Sequence, residues 1–297
     1  MFMRKFGYSF VWTFAVLRCE GERVNISESP KQAVLLMCPP TFFDVNYVIN
    51  PWMDGNVNHA SKAVAQEQWD RLHRELSKLA TVKILTPQPG VPDMVFTANA
   101  GLTKGNLFVP SRFRPAERRG EVAFFTQWMS ENGFQIRPLP EAVGGAFEGE
   151  GDALFYGDLL LTGFGQRSDE TVCREVGTLL GVDVLPLRLT DSRWYHLDTC
   201  LIPVTPDLLA YYPAAFDAAA NAALEKLPGE KIFLTESDSL RFGGNAVVLG
   251  NKIVINSGCD ALAGELKQRG FEVHETELSE FIKAGGSAKC LVLVLDH

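Results

Sequence analysis

A cysteine almost at the C-terminus, Cys290, follows the turn-forming run Gly285-Gly286-Ser287 and precedes the apolar run Leu291-Val-Leu-Val-Leu295. A thiol at that junction stands at the end of a strand, and near a histidine it can act as a thiolate nucleophile. His196 lies in Trp194-Tyr-His-Leu-Asp198, where extended alternation puts His196 and Asp198 on one side of the chain. That pairing suits a proton carrier beside an anionic binder. Phe147-Glu148-Gly-Glu-Gly-Asp152 packs three carboxylates into five residues with two glycines. Such density fits a binding loop better than a core, and a guanidinium prefers paired carboxylates in forked geometry. Taken singly, each feature has a plainer counterpart: a core cysteine opening the last strand, a satisfied structural histidine, a solvated acidic turn.

Spacing binds these pieces together. Phe96-Thr-Ala-Asn99, Phe147 to Asp152, His196-Leu-Asp198, Phe242-Gly-Gly-Asn245 and Gly286-Ser-Ala-Lys-Cys290 recur with gaps of 53, 46, 47 and 45 residues from Asn99 to Asp152, Asp198, Asn245 and Cys290. A period near 50 residues predicts repeated supersecondary units closing around an axis, with their polar tips converging on one mouth. Each unit reads as a helix between strands. Helices are expected over 59–79, 118–132, 169–180, 213–227 and 260–269, with strands among them over 135–139 and, last, over 290–295. No unit of that size buries its own sheet, so stacking is the natural solution. The fold class expected is α/β, a five-bladed α/β-propeller.

Composition narrows the function classes. The 297 residues are 46% hydrophobic and 22% charged, ordinary for a globular protein with a large core. A net charge of −8 without any basic block argues against nucleic acid as the main partner. Six cysteines, at 19, 38, 173, 200, 259 and 290, form no CxxC pair and no zinc spacing. Cys38, Cys173 and Cys259 read as small buried hydrophobes, while Cys200 lies near His196 and is left open. The N-terminus, basic to Lys5 and apolar from Phe6 to Leu17, lacks a cleavage site and is too short to span a bilayer. It is expected to be an extension over residues 1–30, followed by a single catalytic domain over 31–297.

On these motifs the chain resembles the guanidine-modifying superfamily of pentein fold, which includes arginine deiminases, dimethylarginine dimethylaminohydrolases, amidinotransferases and arginine dihydrolases. The resemblance covers roughly residues 33 to 297. It is carried by Asn50-Pro-Trp-Met, Met94 to Gly101, Phe147 to Asp152, His196 to Cys200 and Gly285 to Cys290. The pattern is most similar to the arginine dihydrolase type, whose first motif reads Thr-Ala-Asn; deiminases have an aspartate where this chain has Asn99.

The resemblance implies that Cys290 is the nucleophile and His196 the general acid and base. Glu148 would hold the guanidinium and orient His196, with Glu150 as the alternative for that role. Asp198 would bind guanidinium nitrogens. Arg167 and Arg118 would grip the substrate α-carboxylate, with Arg114 and Arg119 as neighbouring registers for the second. Asn50 and Asn99 would line the pocket, and Phe96 would limit its size. No metal or cofactor is implied. The partner expected is a small guanidine in a cytoplasmic protein, with self-association open and no membrane. An amide at Asn99 can donate to a ureido oxygen, which an ionised aspartate cannot, and this favours dihydrolase over deiminase. The rivals are a dimethylargininase, transfer of the amidino group to an amine, and a non-catalytic binding protein of the kind represented by translation initiation factor 6, which resembles the same fold.

Overall fold

A computed structural model describes residues 32–295; the expected N-terminal extension lies outside the described residues. The strands group into five separate three-stranded sheets. In the first, β1 (Val34–Met37) pairs in parallel with β2 (Thr81–Ile84). The second to fifth sheets each open with an antiparallel hairpin and add a parallel third strand. These are β3 (Gly101–Lys104), β4 (Leu107–Pro110) and β5 (Gln135–Ile136); then β6 (Ala153–Tyr156), β7 (Leu159–Phe164) and β8 (Val184–Arg188). β9 (Leu201–Thr205), β10 (Leu208–Tyr211) and β11 (Glu230–Phe233) follow, and then β12 (Val247–Leu249), β13 (Lys252–Asn256) and β14 (Glu272–Thr276). The missing antiparallel partner of β1 is β15 (Leu293–Val294), supplied by the C-terminal segment. The last motif is thereby stitched into the first blade.

The helix expected in each unit makes the crossover to its parallel third strand: Lys62–Leu79, Glu121–Glu131, Glu170–Leu180, Ala218–Lys226 and Asp260–Gln268. The first starts one residue after its N-cap, Ser61, whose hydroxyl accepts from Val64 N. It buries Ala65, Trp69, Leu72 and Leu76, one stripe at helical spacing.

The hydrophobic core is divided into five clusters, each lying between neighbouring blades. Leu35 and Met37 of β1 pack with Val247 and Val254 of the fifth blade, while Leu36, on the opposite face of β1, packs with Phe108 and Phe125 of the second. Leu102 and Val109 meet Leu160 and Val172. Leu161 and Leu187 meet Leu209 and Leu224, and Ile202 and Ala210 meet Ile253 and Leu262. Each sheet is thus covered on both faces by its neighbours, which is the closure of a five-bladed α/β-propeller.

Two expected strands are shorter than the apolar runs suggest. The last is not Cys290–Leu295 but only β15, because Leu291 N donates to Ser287 O (3.3 Å) and Val292 N to Lys289 O (3.0 Å), bending the segment around Cys290 into turns. The run expected over 135–139 pairs only at β5. Among the described residues no helix is long and apolar enough to cross a membrane.

Candidate active site

Three of the motifs take the same local form. Thr97–Ala100, Gly149–Gly151 and Leu197–Thr199 are single 3-10 turns placed directly before the first strand of blades two, three and four. Successive turns touch, and glycine is what lets them. A Cβ on Gly151 would lie 2.2 Å from Asn99 Nδ2 and 3.1 Å from His196 Nδ1. The two glycines of the acidic motif therefore serve backbone approach: Gly149, at φ +61°, has Gly101 and Ala98 backbone atoms within 2.8 Å of where its Cβ would be.

Cys290 and Asp198 meet directly. The thiol Sγ lies 3.3 Å from Asp198 Oδ2, and both residues are buried. Asp198 Oδ1 has no hydrogen-bond partner among the described residues. Burial, against the opposing charge of Lys289, pushes the Asp198 carboxyl up to about 7. Burial and then the Asp198 carboxylate push the Cys290 thiol well above its ordinary range. Without a ligand both groups therefore lean toward their protonated forms, and a cation placed against them would favour both anionic forms.

His196 is buried and its Nε2 lies 2.7 Å from Glu148 Oε2. Glu148 is completely buried; its Oε2 also accepts from Arg167 Nη1 (2.9 Å) and its Oε1 from Arg114 N (3.1 Å). Burial alone would raise the Glu148 carboxyl, but the Arg167 guanidinium and then His196 outweigh it and hold the group at about 2. Between Glu148 and Glu150, the structure puts Glu148 on the imidazole. Glu150 instead accepts from Lys289 Nζ at 2.5 Å. With Nε2 bonded to Glu148, the other ring nitrogen faces the Asn99 amide at 3.5 Å. Asp152 stands behind this pair, accepting from Ser168 Oγ (2.6 Å) and from Leu197 N (3.1 Å), and so fixes the backbone beside His196.

Asn99 is held at both ends. Its Oδ1 accepts from Arg118 Nη1 (2.7 Å), which forces the NH2 group toward Glu148 O and His196. Arg118 is not placed to reach a substrate carboxylate as expected. It is 3% exposed, forked onto Glu121 at 2.8 and 2.9 Å, and bonded to Asp93 O. Its guanidinium is spent on buried partners behind Asn99. Arg167 instead lines a cleft of about 320 Å³ together with Asn50, Arg114 and Tyr195. Asn50 closes one wall, with its Nδ2 on Ala284 O (3.0 Å) and its Oδ1 accepting from Trp52 N (2.9 Å). The Phe96 ring packs edge-on against Phe43 and Phe281, 5.9 and 6.4 Å away, with Gly286 beneath it.

Two residues of the cluster were not assigned from sequence. Asn245 donates from Nδ2 to Cys290 Sγ (3.1 Å) and to Asp198 O (2.9 Å), and its Oδ1 accepts from Cys290 N (3.0 Å). The signal was present: Asn245 ends the fourth motif. Asp93, 1% exposed, accepts from Tyr47 OH (2.8 Å) through Oδ2, while its Oδ1 has no partner among the described residues. It lies outside the periodic positions. Cys38, Cys173, Cys200 and Cys259 are all buried core thiols. Among the described residues no group of three or more His, Cys, Asp or Glu is arranged to hold a metal ion.

A ring of five small α/β blades, with a thiol on one buried carboxylate and an imidazole on another in the turns that precede the hairpins, defines a protein of the pentein class. The model for eukaryotic N,N dimethylarginine dimethylhydrolase matches residues 45–295. The chain belongs to the dimethylarginine dimethylaminohydrolase family. The N(G),N(G)-dimethylarginine dimethylaminohydrolase of Mycobacterium tuberculosis is 40% identical over 89% of this chain and 86% of its own length. The bifunctional arginine dihydrolase/ornithine cyclodeaminase ArgZ of Synechocystis is 47% identical over 87% of this chain, which spans 37% of ArgZ. The crystal structure of the N-terminal domain of ArgZ bound to substrate matches with a TM-score of 0.87 at 45% identity, covering 89% of this chain and 98% of that domain.

Proposed function

We propose that this chain hydrolyses the guanidinium carbon of L-arginine or a close derivative through a covalent Cys290 intermediate, and that it completes two cycles as an arginine dihydrolase. One observation carries the reading: Asp198 offers one oxygen to the Cys290 thiol and holds the other buried and unpartnered. A guanidinium donating to that oxygen would have its carbon beside the sulfur, and its charge would favour the thiolate.

The guanidinium carbon is a poor electrophile because three nitrogens share its charge. Asp198 fixes the plane for attack. The Cys290 thiol gives up its proton to water as the guanidinium binds, the thiolate sulfur bonds to carbon, and a C–N bond breaks as His196, oriented by Glu148, protonates the leaving amino nitrogen, which departs as ammonia. His196 then takes a proton from water, the water oxygen attacks the thioether carbon, and the C–S bond breaks to release citrulline. A second cycle on the ureido carbon gives ornithine, carbon dioxide and a second ammonia. That cycle requires a neutral group to be held, and the Asn99 amide, its orientation locked by Arg118, supplies a donor. Relatives named arginine dihydrolase support this version.

Product analysis with purified protein tests it. Ornithine and two equivalents of ammonia per arginine are expected; citrulline accumulating without ornithine contradicts the dihydrolase version. Asn99→Asp removes the donor and adds a charge, and is expected to cut ornithine formation from citrulline by at least about 10²-fold. A second reading, dimethylargininase, is favoured by the family model and the mycobacterial relative; dimethylamine released from dimethylarginine, with arginine inert, would establish it.

Binding carries a pH signature. The proton on Asp198 must leave before a guanidinium can bind, so arginine affinity of a Cys290→Ser variant is expected to rise about tenfold per pH unit below about 7 and then level. Calorimetric titration across pH reads this directly, and a flat profile contradicts it. For the fold the sign is reversed. The folded value lies above the ordinary aspartate value of about 3.9. The stability that Asp198 contributes is therefore complete in acid and is lost as pH rises through about 7.

A further inference from the structure

The residue before the cysteine is a buried lysine that the reaction above does not use. Lys289 is 8% exposed, and its Nζ donates to Glu150 Oε2 (2.5 Å) and to Val292 O (3.0 Å). Glu150 Oε2 also accepts from Val294 N (3.1 Å), so the pair ties the third-blade turn to β15. A buried ion pair is weak as a source of stability, because desolvating both groups offsets most of their attraction. Here it stands against the reacting cluster: Lys289 N donates to Asn245 O, and the Asn245 side chain binds both Cys290 Sγ and Asp198 O.

We infer that Lys289 is a positioning residue whose fixed ammonium, held by Glu150, favours the anionic form of Asp198 against its burial and keeps the Cys290 thiol in register. The inference rests on Asp198 and Cys290 being the reacting pair. Asp198 faces the Cys290 thiol, the Asn245 amide, Lys289 and, beyond it, Glu150, with Tyr195 and Cys200 on its own segment. Lys289 is the strongest cation acting on it, and Glu150 acts in the opposite sense and more weakly.

Lys289→Met alone would leave the buried Glu150 carboxylate without its ammonium, so the informative variants are Glu150→Gln and the double Lys289→Met/Glu150→Gln. The readout is the pH dependence of Cys290 alkylation by iodoacetamide, followed by peptide mass spectrometry on protein verified as folded by near-ultraviolet circular dichroism. Asp198, at about 7, is already ionised where the thiol titrates, so the midpoint reads the direct fields: Glu150→Gln removes an anion and is expected to move it down by about one pH unit, and the double variant, lacking the ammonium, is expected to move it up by a similar amount. Opposite displacements support the electrostatic role. Unmoved midpoints, or displacements in one direction, overturn it. Adding arginine to the unsubstituted protein separates the two readings: failure to protect Cys290 counts against guanidine binding, while the displacements still decide the role of Lys289.

Discussion

Replacing Cys290 with alanine is expected to lower arginine turnover by at least about 10⁴-fold while arginine binding persists. The thiol is the only nucleophilic atom in contact with Asp198 among the described residues. Alanine removes the atom that bonds to carbon, yet it leaves the acceptors of the guanidinium in place. Asn245 keeps its bond to the Asp198 carbonyl oxygen, and Glu148 keeps His196 and Arg167. Steady-state assay and calorimetry on the same preparation separate the two effects. A binding protein of this fold would keep its function in the variant; an enzyme using another nucleophile would keep its turnover.

Glu148→Gln is expected to reduce kcat by about 10² to 10⁴-fold, the scale of positioned acid–base catalysis. It also leaves the Arg167 guanidinium buried without its counter-charge, at a cost of about 3 kcal/mol or more. The carboxylate is held at about 2, below the ordinary glutamate value of about 4.3. Its stabilising contribution is therefore present at neutral pH and is lost as pH falls through about 2. Urea unfolding at pH 7 and in acid checks both parts: Glu148→Gln should be much less stable than the unsubstituted protein at pH 7, and the difference should shrink in acid. Equal stability at pH 7 would mean that the Glu148–Arg167 contact does not hold in solution.

The repeat was the most legible part of the fold. An even spacing of polar tips before apolar hairpins is a direct consequence of blades that share one axis, and the helices fall where the 3.6-residue stripe predicts them. The ends were less legible, because hydrogen-bond competition decides them: Leu291 and Val292 are apolar enough for a strand, yet their N–H groups are taken by turns. In the site, Cys290, His196, Glu148 and Asp198 could be singled out because each is a reactive type at a repeat position. Asn245 stands at a repeat position as well, but an amide is chemically plain, and only the approach of the fifth motif shows that it binds the thiol. The arginines were the hardest to place. Arg112, Arg114, Arg118 and Arg119 crowd one irregular segment, where no periodicity says which points inward. The structure sends Arg118 beneath Asn99 and leaves Arg114 and Arg167 on the cleft.

The covalent step is the claim on which the rest depends. Rapid acid quenching of the protein with arginine, followed by peptide mass spectrometry, reads it most directly. An adduct confined to the Cys290 peptide, appearing before products and absent from Cys290→Ala, is the result expected. Steady product formation with that peptide unmodified at every time point would contradict the account.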